Sequence, residues 1–268
     1  MTKTKDRIST VQSINDAFGK NIATENLFKH HQFEELRDVI KTSISEQMGM
    51  LLTGPPGVGK TVAVRSVTDE LASHKYTVVY LGQDRSSTNV LRRFAVALGI
   101  QPKFYRDRLA MQISQWLLDN LSTGGKEIVL IIDEAQLLDD NALEEFRLMT
   151  NADYDRESPL TIILMGQPAL RLRLKSADFE SLKQRFRYRY CLEGLDQDET
   201  VNYIQLRLSI AGATPDTFLP EALQYIFQTC QGVPRRINNL CSLAMLKAKS
   251  KKLETINVAL LKEIADLD

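Results

Sequence analysis

The run Gly54-Pro55-Pro56-Gly57-Val58-Gly59-Lys60-Thr61 constrains this chain more than any other feature. It has the spacing G-x-x-x-x-G-K-[ST]. It lies between a short apolar run, Met48 to Leu52, and a stretch in which Val64, Val67 and Leu71 share one helical face. A strand that breaks into a glycine turn and re-enters as a helix points successive backbone N–H groups at an anion, with the positive helix end behind them. In that setting Lys60 is expected to neutralise the β- and γ-phosphates of ATP, and the Thr61 hydroxyl to ligate Mg²⁺. Gly54, Pro55, Pro56, Gly57, Val58, Gly59 and Val62 are expected to line the nucleotide.

The rest of the chain repeats the alternation. Thr77 to Leu81 is β-branched and reads as a second strand. Helical stretches follow at about 88–99 and 107–122, the latter stopped at Gly124-Gly125. Ile128 to Ile132 is continuously apolar, as a strand buried on both faces should be. A helix near 139–150, the run Leu160 to Met165, short helices near 168–184 and a strand Phe186 to Leu192 complete the pattern. Such alternation predicts a parallel sheet with helices on both faces. From Asp196 onward only helices fit, near 196–212, 219–230, 234–249 and 256–266. The expected organisation is therefore a helical lead-in at 1–47, an αβα core at 48–194 and a small all-α domain at 195–268.

Ile132 is followed by Asp133-Glu134. Beside a phosphate loop, a carboxylate at a strand end reaches Mg²⁺ and the next one orients or deprotonates the attacking water. Asp133 is the expected metal ligand and Glu134 the expected base, which favours hydrolysis over storage of the nucleotide.

Composition limits the setting. The 268 residues hold 34 Lys+Arg and 34 Asp+Glu, which excludes a uniformly basic coat. No run reaches the ~18 apolar residues of a membrane span. The polar start Met1-Thr2-Lys3-Thr4-Lys5 predicts no signal peptide. Cys191, Cys230 and Cys241 lack C-x-x-C spacing and read as reduced thiols of a cytoplasmic protein.

Together, the phosphate loop, the acidic strand end, a further strand with a polar end and the helical domain resemble the AAA+ ATPases, over about residues 30–265. The resemblance implies a five-stranded parallel sheet in the order 5-1-4-3-2, an all-α lid, and ATP held between subunits of a ring or filament. It implies that Gln167, in Gly166-Gln167-Pro168, senses the γ-phosphate. Arg185, in Leu182-Lys183-Gln184-Arg185-Phe186, would be the arginine finger offered to a neighbour, with Arg187 second. Arg235, in Gly232-Val233-Pro234-Arg235-Arg236, would reach the nucleotide from the lid. Leu27 to His31 would pack beside the adenine. Asp133-Glu134-Ala135-Gln136 and Met165 to Leu170 are similar to the ExeA/GspA branch, which includes secretion ATPases and stand-alone ATPases of mobile elements of the TnsC, TniB and MuB type. The latter implies sequence-nonspecific duplex DNA, a transposase and a targeting protein as partners, with no membrane. A secretion ATPase with a membrane partner, or a clamp-loader or initiator-like ATPase, are the alternatives.

Charge placement bears on the DNA expectation. Arg85, Arg92, Arg93, Lys103, Arg106 and Arg108 stand against one acid, Asp107, in 85–108. Facing a pore, Arg85, Arg92, Lys103 and Arg106 would contact backbone phosphates. Phe104 and Tyr105, among them, are expected to pack in the core. In Phe186 to Tyr190 the strict alternation predicts an aromatic core face and a basic interface face.

Overall fold

The computed structural model describes residues 17–19, 22–82, 87–150 and 158–265. Contacts divide the chain into a sheet unit, Gln32–Leu192, and a helical unit made of the residues up to His31 and Glu193–Asp268.

In the sheet unit, β1 (Met50–Thr53), β2 (Tyr76–Leu81), β3 (Glu127–Ile132), β4 (Leu160–Gly166) and β5 (Tyr188–Cys191) form one sheet in the order β2-β3-β4-β1-β5, paired in parallel throughout. This is the expected order 5-1-4-3-2 read from the other edge. Burial explains the sequence runs. Every residue of β1 and β4 is buried, whereas the edge strand β2 alternates exposed Val78 and Tyr80 with buried Val79 and Leu81.

The helices of this unit are α1 (His31–Ser45, from Gln32 onward), α2 (Lys60–Thr68), α3 (Ser87–Ala97), α4 (Arg106–Ser122), α5 (Asp140–Met149), α6 (Pro168–Arg173) and α7 (Glu180–Arg185). Their ends carry the expected signals. The Asp139 carboxylate caps α5 by accepting the Ala142 N–H at 2.8 Å, and Pro168 opens α6 where no N–H donor is needed. One core joins β2, β3 and β4 to Leu91, Phe94, Leu109, Ile113 and Phe146 of the covering helices.

The helical unit contains α8 (Gln197–Ile210), α9 (Pro220–Cys230), α10 (Pro234–Ser250) and α11 (Val258–Ala265), close to the expected bounds. Asp196 and Glu199 form a reciprocal capping box at the start of α8. The three-part division expected at 47 and 194 differs from this arrangement, because the described residues before Gln32, 17–19 and 22–31, group with the C-terminal helices. Ala17 and Phe18 share the core of these helices, Phe28 packs against it, and Arg207 of α8, only 1% exposed, adds polar ties. Its guanidinium donates to the Gly19 carbonyl at 2.9 Å and to the Ala17 carbonyl, and lies over the Phe18 ring. Phe18 meets Phe218 edge-on, and Phe28 stacks on His30 and meets Tyr203 edge-on.

Candidate functional site

Because the sheet is parallel, the C-terminal ends of β1, β4 and β3 lie side by side at one edge of the sheet unit. The phosphate loop leaves β1, Gln167 follows β4, and Asp133-Glu134 follows β3. Three segments far apart in sequence meet there by strand order alone.

The loop closes tightly on itself. Gly57 and Gly59 have φ of 83° and 114°, values that favour glycine, and Gly59 leads directly into α2. A side chain at Gly54 would meet the Leu192 carbonyl at 2.3 Å. Lys60 is 7% exposed, and its ammonium donates to the Gly54 carbonyl at 2.8 Å and the Pro55 carbonyl at 3.0 Å. The ammonium therefore lies folded against the loop whose phosphate it is expected to meet. Val58 is buried, Val62 half-buried and Thr61 exposed.

Thr61 Oγ1 donates to Asp133 Oδ2 at 3.1 Å, which joins the loop to the acidic strand end. Tyr80, from the edge strand, donates its hydroxyl to the same oxygen at 2.7 Å. Asp133 Oδ1 accepts the Glu134 N–H at 2.8 Å. Tyr80 is about half exposed, yet the partial desolvation of its ring, with the bond to Asp133, raises the phenol well above its ordinary range, so Tyr80 stays a donor. A hydroxyl and a carboxylate oxygen on one side of a phosphate loop are hard oxygen donors, the kind Mg²⁺ takes alongside phosphates and water, so the residues present fit that ion.

Glu134 is left-handed, with φ 53° and ψ 39°, a conformation costing about 1–3 kcal/mol in a residue other than glycine. Its Oε2 accepts from the Gln136 amide and, at 3.3 Å, from Gln167 Nε2. Gln167, the expected γ-phosphate sensor, therefore stands beside the expected base. Nothing in the sequence marks Tyr80 as a site residue, and the reach of Gln136 is set by the fold rather than by its motif.

Arg185 ends α7 at the other end of the sheet. Its carbonyl accepts the Gly49 N–H at 3.2 Å, at the start of β1. Gly54 lies about 16 Å away along that strand at ~3.3 Å per residue. Arg187 is exposed beside Glu46, at 3.6 Å. In the helical unit Arg235 is exposed in the first turn of α10, with Arg236 and without any acid in that turn. Like charge at a positive helix end is unfavourable by some ~0.3–1 kcal/mol unless an anion compensates it.

The basic segment separates into distinct cases. Arg85 lies outside the described residues. Arg106 is engaged within the fold. Its guanidinium binds Glu145 through Nε at 3.0 Å and Nη2 at 3.2 Å, with Asp139 at 3.6 Å. The expected phosphate contact by Arg106 is therefore replaced by an internal ion pair. Arg92 donates to the Phe104 carbonyl at 2.7 Å and lies over the Phe104 ring, while Lys103 is exposed. The expectation that Phe104 and Tyr105 pack in the core is overturned: they are 79% and 65% exposed at the turn before α4, edge-on to one another. The core below is already filled by Ile100, Leu109 and Ile113.

The alternation at β5 is reproduced in part. Phe186 is buried, and Arg187 and Arg189 are exposed. Tyr188 and Tyr190 are half-buried, with hydroxyls donated to Glu46 at 2.5 Å and Glu35 at 2.7 Å.

Residues 41–174 match the family model described as "AAA domain". The General secretion pathway protein A of Aeromonas hydrophila is 34% identical over 203 residues, 74% of this chain and 37% of that protein. The chain thus spans a little over a third of the length of the curated relative it matches. Among solved structures, the Aeropyrum pernix ORC1 protein in complex with DNA superposes with a TM-score of 0.69 at 14% identity, over 96% of this chain and 69% of that one. The ORC2 protein of the same organism, in ADPNP–ADP complexes, gives 0.65 at 15% identity, over 92% and 70%. At these identities the solved structures speak for the fold alone. The family match spans half of the chain, and with the fold and the phosphate loop it leads to one conclusion: the chain belongs to the AAA family and is an AAA+ ATPase, similar over 203 residues to a General secretion pathway protein A.

Proposed function

We propose that the protein is an ATP-dependent switch that assembles on duplex DNA, with nucleotide between neighbouring copies, and that it recruits or regulates a transposase at the target site. The observation that carries the assembly is the position of Arg185, about 16 Å along β1 from its own phosphate loop. An arginine finger there serves a neighbouring copy. DNA binding is supported by the exposed turn of Lys103, Phe104, Tyr105 and Arg108, and by likeness in fold to an ORC1 protein solved with DNA. The transposase, and a targeting protein beside it, rest on the motif resemblance.

In this reading the loop N–H groups and Lys60 bind the phosphates, and the motif resemblance assigns Arg235 to the nucleotide. Thr61 and Asp133 hold Mg²⁺, which supplies charge neutralisation on the phosphates when bound. Glu134 orients and deprotonates the water, and Gln167 reads the γ-phosphate. Hydrolysis is the timer for release from DNA.

A second reading has a specific observation behind it. The secretion-pathway relative runs against the expectation of no membrane partner, and favours an ATPase that works with an envelope protein. Among the described residues no helix is long and apolar enough to cross a membrane. Turnover measured with and without long duplex DNA, on the native protein and Glu134→Gln, with electron micrographs of the latter, separates the two. DNA-stimulated turnover and assemblies on DNA support the first. ATPase activity indifferent to DNA refutes it and favours the second.

A further inference from the structure

We propose that Gln136 is a positioning residue for hydrolysis, a two-sided amide that fixes the Glu134 carboxylate relative to the residue that senses the γ-phosphate. Its Nε2 donates to Glu134 Oε2, and its Oε1 accepts the backbone N–H of Gln167 at 3.1 Å. One planar group thus ties the strand end of β3 to the strand end of β4. A primary amide meets both demands with one planar group, because the carboxylate requires a donor and the backbone N–H an acceptor, and neither Leu nor an ionised Glu at this position can do both.

Two independent features hold the amide in place. Gly166 leaves it room: a Cβ there would lie 2.6 Å from Gln136 Oε1 and 2.7 Å from Leu170 Cδ2. Arg173 of α6 fixes the turn that carries Gln136, donating to the Leu138 carbonyl at 2.7 Å and pairing with Asp140. The consequence is orientational. Both amide donors, from Gln136 and Gln167, converge on Oε2 of Glu134. Among the described residues no donor approaches Oε1, which is left for the attacking water. A shift of the Gln167 backbone on binding or loss of the γ-phosphate reaches Glu134 through this side chain, alongside the longer direct contact from Gln167 Nε2 at 3.3 Å.

The inference rests on the reading of Glu134 as the base, and its test is a double-mutant cycle on the full chain. Gln136→Leu is expected to lower kcat 10- to 100-fold, with affinity for a fluorescent ATP analogue changed less than twofold. In a Glu134→Ala background the same substitution is expected to change the residual single-turnover rate less than twofold, since its effect passes through Glu134. Gln136→Glu, equal in shape but unable to donate, and Gly166→Ala, which displaces the amide, are expected to reproduce the loss. They also decide the matter if Gln136→Leu does not fold. Retained kcat in Gln136→Leu and Gln136→Glu overturns the proposal, as does an equal fold-loss with and without Glu134. If Glu134→Ala itself retains full turnover, the reading of Glu134 as base fails and this proposal falls with it. If Glu134→Ala is inactive while the Gln136 variants are active, the proposal alone fails.

Discussion

The Tyr80 hydroxyl and Asp133 Oδ2 stand 2.7 Å apart, joined from neighbouring strands. Thr61 approaches the same oxygen at 3.1 Å, so the tyrosine presets the carboxylate that faces the phosphate loop. A hydrogen bond to a charged group that preorganises a ligand is worth some ~1 kcal/mol. Tyr80→Phe is therefore expected to raise the Mg²⁺ concentration for half-maximal ATPase activity about fivefold, and to lower the melting temperature near neutral pH by about 2–4 °C. The phenol's folded pKa lies above its ordinary value of 10.0. The stability it contributes is complete below that value and is lost as pH rises through the folded one. Melting temperatures compared at alkaline pH check the sign: the native protein is expected to lose stability there more steeply than Tyr80→Phe.

Arg185 gives a prediction that separates a site between copies from a site within one. Alone, Arg185→Ala and Glu134→Gln are each expected to hydrolyse ATP at least 10²-fold more slowly while still binding it, since arginine fingers are worth ~10³–10⁵ in turnover. Mixed, they are expected to recover a measurable part of the native rate. Some interfaces then pair the intact Glu134 of one copy with the intact Arg185 of the other. A mixture no more active than its parts would place the arginine elsewhere in the mechanism.

Arg207 gives a prediction about the helical unit alone. Burial lowers its guanidinium's pKa, and the carbonyls of Ala17 and Gly19 supply its polar contacts, with the Tyr203 hydroxyl at 3.4 Å. Arg207→Met leaves those carbonyls without their donor. Unsatisfied buried groups cost about 1–3 kcal/mol each, so a loss of about 2–4 kcal/mol in urea unfolding of that unit is expected.

The strand runs and the phosphate loop were legible because their causes are local. Ile128 to Ile132 and Leu160 to Met165 are apolar throughout because β3 and β4 are interior strands. The loop residues were legible because phosphate chemistry fixes residue type and spacing together. The start of β5 was read two residues early. Phe186 is apolar and buried, but its N–H donates to the Leu182 carbonyl at 3.2 Å, closing α7. Tyr80 could not be found in the same way, because its partner lies 53 residues on and is brought near by the β2–β3 register. Arg106 looked like its basic neighbours in sequence. Only the packing of α4 against α5 shows that Glu145 holds it.

Cysteine reactivity tests the packing of the helical unit directly. Burial raises the Cys230 thiol to about 11 and the Cys241 thiol well above its ordinary range, while Cys191 is half-buried in the edge strand β5. The thiolate is the reactive form, so native protein at about pH 8 is expected to react quickly at no more than one of its three thiols, Cys191. The other two should appear only on unfolding. Peptide mapping after brief alkylation identifies the modified position.

The basic segment yields the prediction that bears most on DNA. Each phosphate contact by a lysine or arginine contributes about 0.9 to the slope of log affinity against log salt for duplex DNA. Lys103→Ala and Arg108→Ala, at the exposed turn and the start of α4, are expected to weaken binding to any duplex sequence and to reduce that slope by about 1 each. Phe104→Ala is expected to leave the slope unchanged, because an aromatic ring displaces no counterion. Arg106→Ala is expected to behave differently again. Its guanidinium is paired with Glu145, so the variant should keep the native slope and lose stability through the unpaired carboxylate. Salt titrations of a fluorescent duplex, with melting curves of the same variants, distinguish these outcomes. If Arg106→Ala alone changes the slope while Lys103→Ala and Arg108→Ala do not, the DNA-facing surface is misassigned.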